Sequence, residues 1–217
     1  DRIHAFVAPG RYRALVALML LAPETPLLFM GQEFGASSRF LFFADHHSDL
    51  AAKVYEGRKK FLSEFPEYAT PEAQKVVPDP ADARTFEQSR LDFSERKRHA
   101  AVYRLHRDLL ALRREDRVLG RQDRAAVEGA VLGTQALALR YAGPMDDDRL
   151  LVVNLGSDLN FVPAPEPLLA PVAGGAWALQ WSSDHPQYGG PGIVPPLTEK
   201  GWRIPAAVAT LYRAVKS

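Results

Sequence analysis

Several groupings in this chain contain side chains that are reactive or able to bind a ligand. Asp45-His46-His47 puts metal donors in a row. Adjacent histidines on a loop lack the i, i+4 spacing that sets two imidazoles on one helix face, and no further ligand pair is near. Capping of a following helix by Asp45 or Asp49 is the better account, so no metal is expected. Ser182-Ser183-Asp184-His185 has the residue types of a hydrolytic triad. Triads are assembled from distant segments, and no Gly-x-Ser-x-Gly elbow is present. Between Arg84 and Arg124, Arg and Lys outnumber Asp and Glu. The excess reads as a solvated helix face with ion pairs within the helix. It lacks the interleaved exposed aromatics of a single-strand nucleic-acid binder.

Two aromatic groupings remain. Phe34, Phe40, Phe42 and Phe43 offer rings that could stack on a sugar, or could pack a loop onto its support. Trp177, Trp181 and Trp202 could mark a carbohydrate surface. Core packing is preferred for them, because a small domain needs large buried side chains.

Tyr12–Leu21 is rich in helix formers and lies between Pro9-Gly10 and Pro23. Leu27-Leu28-Phe29-Met30 is an unbroken apolar run closed by Gly31, the pattern of a strand buried on both faces. Helix, turn, buried strand and polar tip make one αβ step of an α/β fold. Residues 32–49 read as a long loop. A helix is expected from Leu50 to Phe65 with Ser48 or Asp49 as its cap, and Pro66–Arg84 as an ordered loop. Ala100–Arg114 is amphipathic, with Ala101, Val102, Leu105, Leu109 and Leu112 on one face. Beyond Arg124, Val127–Gly133, Gln135–Tyr141, Leu150–Leu155, Trp177–Trp181 and Ala206–Tyr212 are strand candidates. Such short runs separated by turn signals suggest an antiparallel β-sandwich. A domain boundary is placed near residue 122.

Composition narrows the function classes. With 47% hydrophobic and 24% charged residues the chain has ordinary globular values. A formal net charge of +1 gives no global argument for a nucleic-acid or membrane partner. The absence of cysteine excludes disulfides and thiolate metal sites, and the chain leans cytoplasmic. The apolar stretch from Leu15 to Met30 is broken by Ala22-Pro23-Glu24-Thr25-Pro26, so neither half reaches the ~20 residues of a bilayer span.

The motifs carry a resemblance. Pro26 to Phe34 looks like the eighth barrel strand and following loop of the α-amylase family. Phe40-Leu41-Phe42-Phe43-Ala44-Asp45-His46 resembles the Phe-rich segment after that strand in the maltooligosyltrehalose trehalohydrolases of that family. Val77-Pro78-Asp79-Pro80, Thr85-Phe86 and Ser89-Arg90-Leu91-Asp92 resemble the insertion those enzymes carry before the last barrel helix. Residues 99–114, with Leu109-Leu110-Ala111-Leu112-Arg113, are similar to that helix, and 125–217 fit the closing β-domain. The likeness covers nearly the whole chain and is strongest over 12–114.

The resemblance implies an α/β portion followed by an all-β domain. Residues 1–122 would be the last units of a (β/α)8 barrel, whose site lies at the C-terminal strand ends. Residues 123–217 would be the β-sandwich. It implies a retaining glycoside hydrolase that cleaves the α-1,4 bond beside the trehalose unit of maltooligosyl trehalose. The family's nucleophile, acid/base and stabilising carboxylates lie on the fourth, fifth and seventh strands. No Asn-His-Asp segment of the seventh-strand type occurs here, so none of the three is carried over, and the chain alone is expected to be inactive. The expected partners are a maltooligosyl trehalose or α-1,4-glucan substrate and the missing N-terminal barrel portion, without cofactor, nucleic acid or membrane. Gln32, Glu33, Phe34 and Phe40 are the candidate substrate-binding residues. The alternatives are another α-glucan enzyme of the family, such as a branching enzyme, or a non-catalytic glucan-binding or structural module.

Overall fold

The computed structural model describes residues 2–198 and 201–216. The helices are α1 (Pro9–Leu21), α2 (Ser48–Leu62), α3 (Pro71–Lys75), α4 (Ala83–Ser89), α5 (Glu95–Arg98) and α6 (Ala100–Glu115). The strands are β1 (Val127–Gly133), β2 (Ala136–Tyr141), β3 (Arg149–Asn154), β4 (Leu159–Phe161), β5 (Gly175–Ser182), β6 (Leu197–Thr198), β7 (Gly201–Ile204) and β8 (Val208–Lys216). They belong to two compact units. One comprises Ala36–Ser94 with Arg2, the other Ile3–Gly35 with the chain from Glu95 on.

The larger unit is layered. Strands β1-β2-β3-β8-β5 form a five-stranded sheet and β4-β7-β6 a three-stranded one. The pairings are antiparallel, with β3 registered against β2 and β8 along its whole length. Alternation along β3 sorts its side chains between two cores. Leu150 and Val152 join Trp177, Tyr212, Trp202 and Ile204 between the sheets. Leu151 and Val153 point the other way, to Ala14, Ala17 and Leu20 of α1 and Leu105 and Leu109 of α6. Every residue of β3 is therefore buried. The antiparallel sandwich expected from the short runs is present, and Trp177 and Trp202 are core residues of it.

Helix α1 starts where Pro9 presets its first turn and ends where Ala22 takes an extended conformation before Pro23. Arg113 of α6 closes that end. Its guanidinium donates to the carbonyls of Leu20 (2.9 Å) and Glu24 (2.7 Å), and also to that of Ala22. A buried pair ties α1 to the loop after β5. Arg13 donates to Ser183 O (2.8 Å) and Gly189 O (3.2 Å) and meets the Asp184 carboxylate at 3.1 Å.

The strand expected at Leu27–Met30 does not form. The segment joins neither sheet, and Leu27 is 88% exposed. Its pattern is that of a parallel central strand, and the described residues contain no parallel neighbour to accept its hydrogen bonds.

In the smaller unit α2 begins at Ser48, earlier than expected, and His47 sits at its N-cap without a side-chain hydrogen bond. The expected capping by Asp45, Ser48 or Asp49 is thus replaced by backbone bonds from Leu50 and Ala51 to His47 O. The stretch read as a loop, 66–84, contains α3 and the start of α4. Thr70 and Asp82 cap them through their own side chains. The Phe-rich loop is pinned by Leu41 N to Ser89 Oγ (3.1 Å) and Ala44 N to Pro80 O (2.9 Å).

Candidate functional site

Gln32, Glu33 and Phe34 form a single 3-10 turn between Gly31 (φ 82°) and Gly35 (φ 59°). Both flanking residues occupy left-handed backbone, which glycine enters without a Cβ clash. The turn is anchored through Gln32 and Phe34. Tyr12 Oη donates to Gln32 O (3.3 Å), and the Gln32 amide accepts from Phe29 N (3.4 Å) and approaches Met19 Sδ (3.8 Å). Phe34 is fully buried, with its carbonyl 3.0 Å from His99 Nδ1. The Arg96 guanidinium lies 5.5 Å from the Phe34 ring centre and 5.6 Å from that of Tyr103. Glu33 supplies the turn's carboxylate. It is half-buried and stands 3.9 Å from Arg96. The turn therefore presents one carboxylate beside one guanidinium, a pair that can hydrogen-bond neighbouring hydroxyls, while Phe34 holds the turn in place.

Beneath this turn lies a group that residue spacing did not single out. His106 is buried among apolar neighbours, its Nδ1 2.9 Å from Val102 O and its Nε2 without a partner. Burial pushes its pKa below 6.5, outweighing the Val102 hydrogen bond and the field of Glu33. Farther along the same unit, Arg149 is held by Asp116 (2.8 Å) and Asp147 (2.7 Å). Burial opposes the charge on Asp116, but its bonds from Arg149, Gln180 and two backbone amides prevail and lower its pKa.

Phe40 belongs to the smaller unit. It is 48% exposed and lines a cleft of about 220 Å³ with Arg39, Phe42, Arg58, Tyr68 and Pro78. Phe40 and Phe43 lie 6.0 Å apart, and Phe43 meets Phe86 edge to face at 5.1 Å. Arg58 stacks over Phe42 at 4.8 Å. So of the four phenylalanines, Phe34 is packing and the other three form an exposed cluster.

The remaining groupings serve the fold. Ser182 Oγ accepts from Asp184 N, Ser183 Oγ from Ala209 N, and His185 Nδ1 from Gln187 N. Asp184 is committed to Arg13. Among the described residues no three His, Asp or Glu side chains cluster as a metal site, and no helix is long and apolar enough to cross a membrane. The basic stretch is largely neutralised close by, as in Arg84–Asp82, Arg90–Glu87, Arg107–Asp108 and Arg114–Glu115.

Residues 124–202 match the family described as Domain of unknown function (DUF3459). Over 170 residues, 75% of the chain, the sequence is 43% identical to the malto-oligosyltrehalose trehalohydrolase of Deinococcus radiodurans. It is 44% identical over 118 residues, 53% of the chain, to that of Arthrobacter ramosus. The chain spans only 26% and 20% of these relatives' lengths. Among solved structures, a Salmonella typhimurium protein provisionally named as an alpha amylase superposes with a TM-score of 0.73 at 24% identity. That alignment covers 99% of this chain and 32% of the other. The catalytic module of a glycogen-degrading pneumococcal virulence factor gives 0.58 at 16% identity, over 96% of this chain and 32% of that one. These two likenesses are of fold. The sequence matches identify the chain as a homologue of the C-terminal region of the malto-oligosyltrehalose trehalohydrolases.

Proposed function

We propose that this chain is the C-terminal part of a retaining glycoside hydrolase that frees trehalose from maltooligosyl trehalose by cleaving the adjacent α-1,4 bond. On this reading residues 1–122 close a (β/α)8 barrel and 123–217 are its β-sandwich domain. The observation that carries the reading is the 43% identity over 170 residues to a trehalohydrolase. Retaining hydrolysis requires two carboxyl groups about 5 Å apart across one glycosidic bond. Those groups, with the stabilising third carboxylate, come from the remainder of the barrel. This chain contributes contacts to the substrate. Glu33 and Gln32 offer hydrogen bonds at the end of the eighth strand, Phe34 keeps their turn rigid, and Phe40 offers a ring face.

The test is a chimera. The matching region of the Deinococcus radiodurans enzyme is exchanged for these residues, and the product is assayed on maltotriosyl trehalose. Trehalose release is expected from the chimera and none from this chain by itself. A soluble chimera with a native circular dichroism spectrum that releases no trehalose would overturn the proposal.

A further inference from the structure

The β-domain carries a recess that shares no residue with the Gly31–Gly35 turn. It has a volume of about 170 Å³ and is walled chiefly by Gln180, Trp181, His185, Gln187, Tyr188 and Ile193. No Asp, Glu, Lys or Arg lines it. Its aromatic wall is fixed. Trp181 Nε1 donates to Tyr188 Oη (3.1 Å), and that hydroxyl donates to Asp108 (3.1 Å). Its hydrogen-bonding groups are of both kinds. Gln180 spends its amide N–H on Asp116 (3.1 Å) and keeps its carbonyl oxygen as an acceptor. His185 Nδ1 accepts from Gln187 N (3.1 Å), so the ring proton sits on Nε2 and makes it a donor. The Gln187 amide supplies one of each.

The walls are also preorganised. The loop from Ser182 to Gly192 is gripped by Arg13 and closed on itself by Gly192 N to Asp184 O (3.0 Å). At Gly190 a Cβ would lie 2.2 Å from Asp184 O, so the chain passes there too closely for any side chain. A rigid site spends less binding energy on ordering itself.

We infer that this recess is an ancillary site for a glucosyl unit of an α-glucan chain. An anion would find no cation among its walls, and a hydrocarbon would leave the amides unpaired. A pyranose has an apolar C–H face for the aromatic wall and a rim of hydroxyls that both donate and accept. Trp177 and Trp202 are buried in the sandwich core, whereas Trp181 is half-buried and borders the recess. That the ligand is a sugar follows from the recess, and that the sugar is an α-glucan rests on the function proposed above.

The experiment is affinity electrophoresis through glycogen-containing gels, on the polypeptide at the length its source makes, beside trehalose release from maltotriosyl trehalose in solution. The native protein should be retarded, and Trp181→Ala and Gln187→Ala should be retained roughly tenfold more weakly, with hydrolysis unchanged. Trp181 also packs on the core, so if its variant loses the native circular dichroism spectrum, Gln187→Ala decides alone. Absence of retardation of the native protein, or a folded Gln187→Ala variant retained as strongly as native, overturns the site. Trehalose release alongside either result removes the site and leaves the hydrolase reading. Variant-sensitive retardation without trehalose release keeps the site and removes that reading.

Discussion

The carboxylate of Glu33 acts through its field on the buried His106 imidazole, and the two make opposite demands on charge. Glu33 and Arg96 are both partly solvated and 3.9 Å apart, so their attraction adds little to stability. Glu33→Gln should therefore leave the unfolding midpoint nearly unchanged. Placed in the chimera with the Deinococcus radiodurans barrel, it should lower kcat/KM for trehalose release by about tenfold, the order expected for a lost charge-assisted hydrogen bond. An unchanged kcat/KM would reduce Glu33 to an anchor for Arg96. His106 is a stability term. Its pKa is depressed in the folded chain, so the unfolded chain binds its proton more readily. The contribution is complete above the ordinary value of 6.5 and is lost as pH falls below it. Urea midpoints at about pH 7.5 and about pH 5.5 should drop more for the native protein than for His106→Leu. Equal drops would mean that His106 does not titrate with folding. Of this site, the sequence shows the bracketing glycines and the polar tip. It cannot show that Arg96, His99 and His106 return to them, because those approaches are set by how α5 and α6 pack and by no local pattern.

At the level of elements, periodicity was a good guide where one face or both faces are buried inside this chain. Helices α1 and α6 and strands β1, β2 and β3 lie where their apolar spacing puts them. It failed where local chemistry dominates. The α3 and α4 turns are too short for a 3.6-residue pattern and are made by Thr70 and Asp82 capping. Strands β4, β6 and β7 are two to four residues long and have no readable alternation. The Trp residues divided by register rather than by type, with Trp177 turned into the sandwich core and Trp181 toward the helices. Arg113 falls in the stretch whose composition suggests a solvated basic face, whereas it is the buried closure of α1. Its planar fork reaches several carbonyls at once, which a lysine ammonium on a single stem cannot match. Arg113→Lys should cost about 2 kcal/mol of stability, from carbonyls left without donors. The change would appear as a lower urea midpoint with an unchanged slope, and a midpoint equal to native would show that α1 ends without its help.

The molecule as a whole has two kinds of apolar residue, one kind enclosed in a core and the other open to solvent. The sandwich and its helical cover leave Leu150, Leu151, Ile204 and Leu211 without exposure, a finished core. Leu27, Phe29 and Met30 have strand-like composition and stay open, with Leu27 almost fully accessible. A run of exposed apolar side chains attracts other chains. In the proposed enzyme this segment is the eighth barrel strand, with the remaining strands as its cover. The isolated chain should therefore bind an anilinonaphthalene dye and self-associate. Leu27→Lys should diminish both while shifting stability by no more than about 0.5 kcal/mol, since the side chain it removes touches no core. The same residue in the chimera with the Deinococcus radiodurans barrel should behave in the opposite way. There the substitution would put a charge between paired strands and their helices, so stability should fall by several kcal/mol on the order expected for an unpaired buried charge. A Leu27→Lys change that is silent in both settings would mean the segment is not a barrel strand, and the cover for its apolar side chains would have to be sought elsewhere.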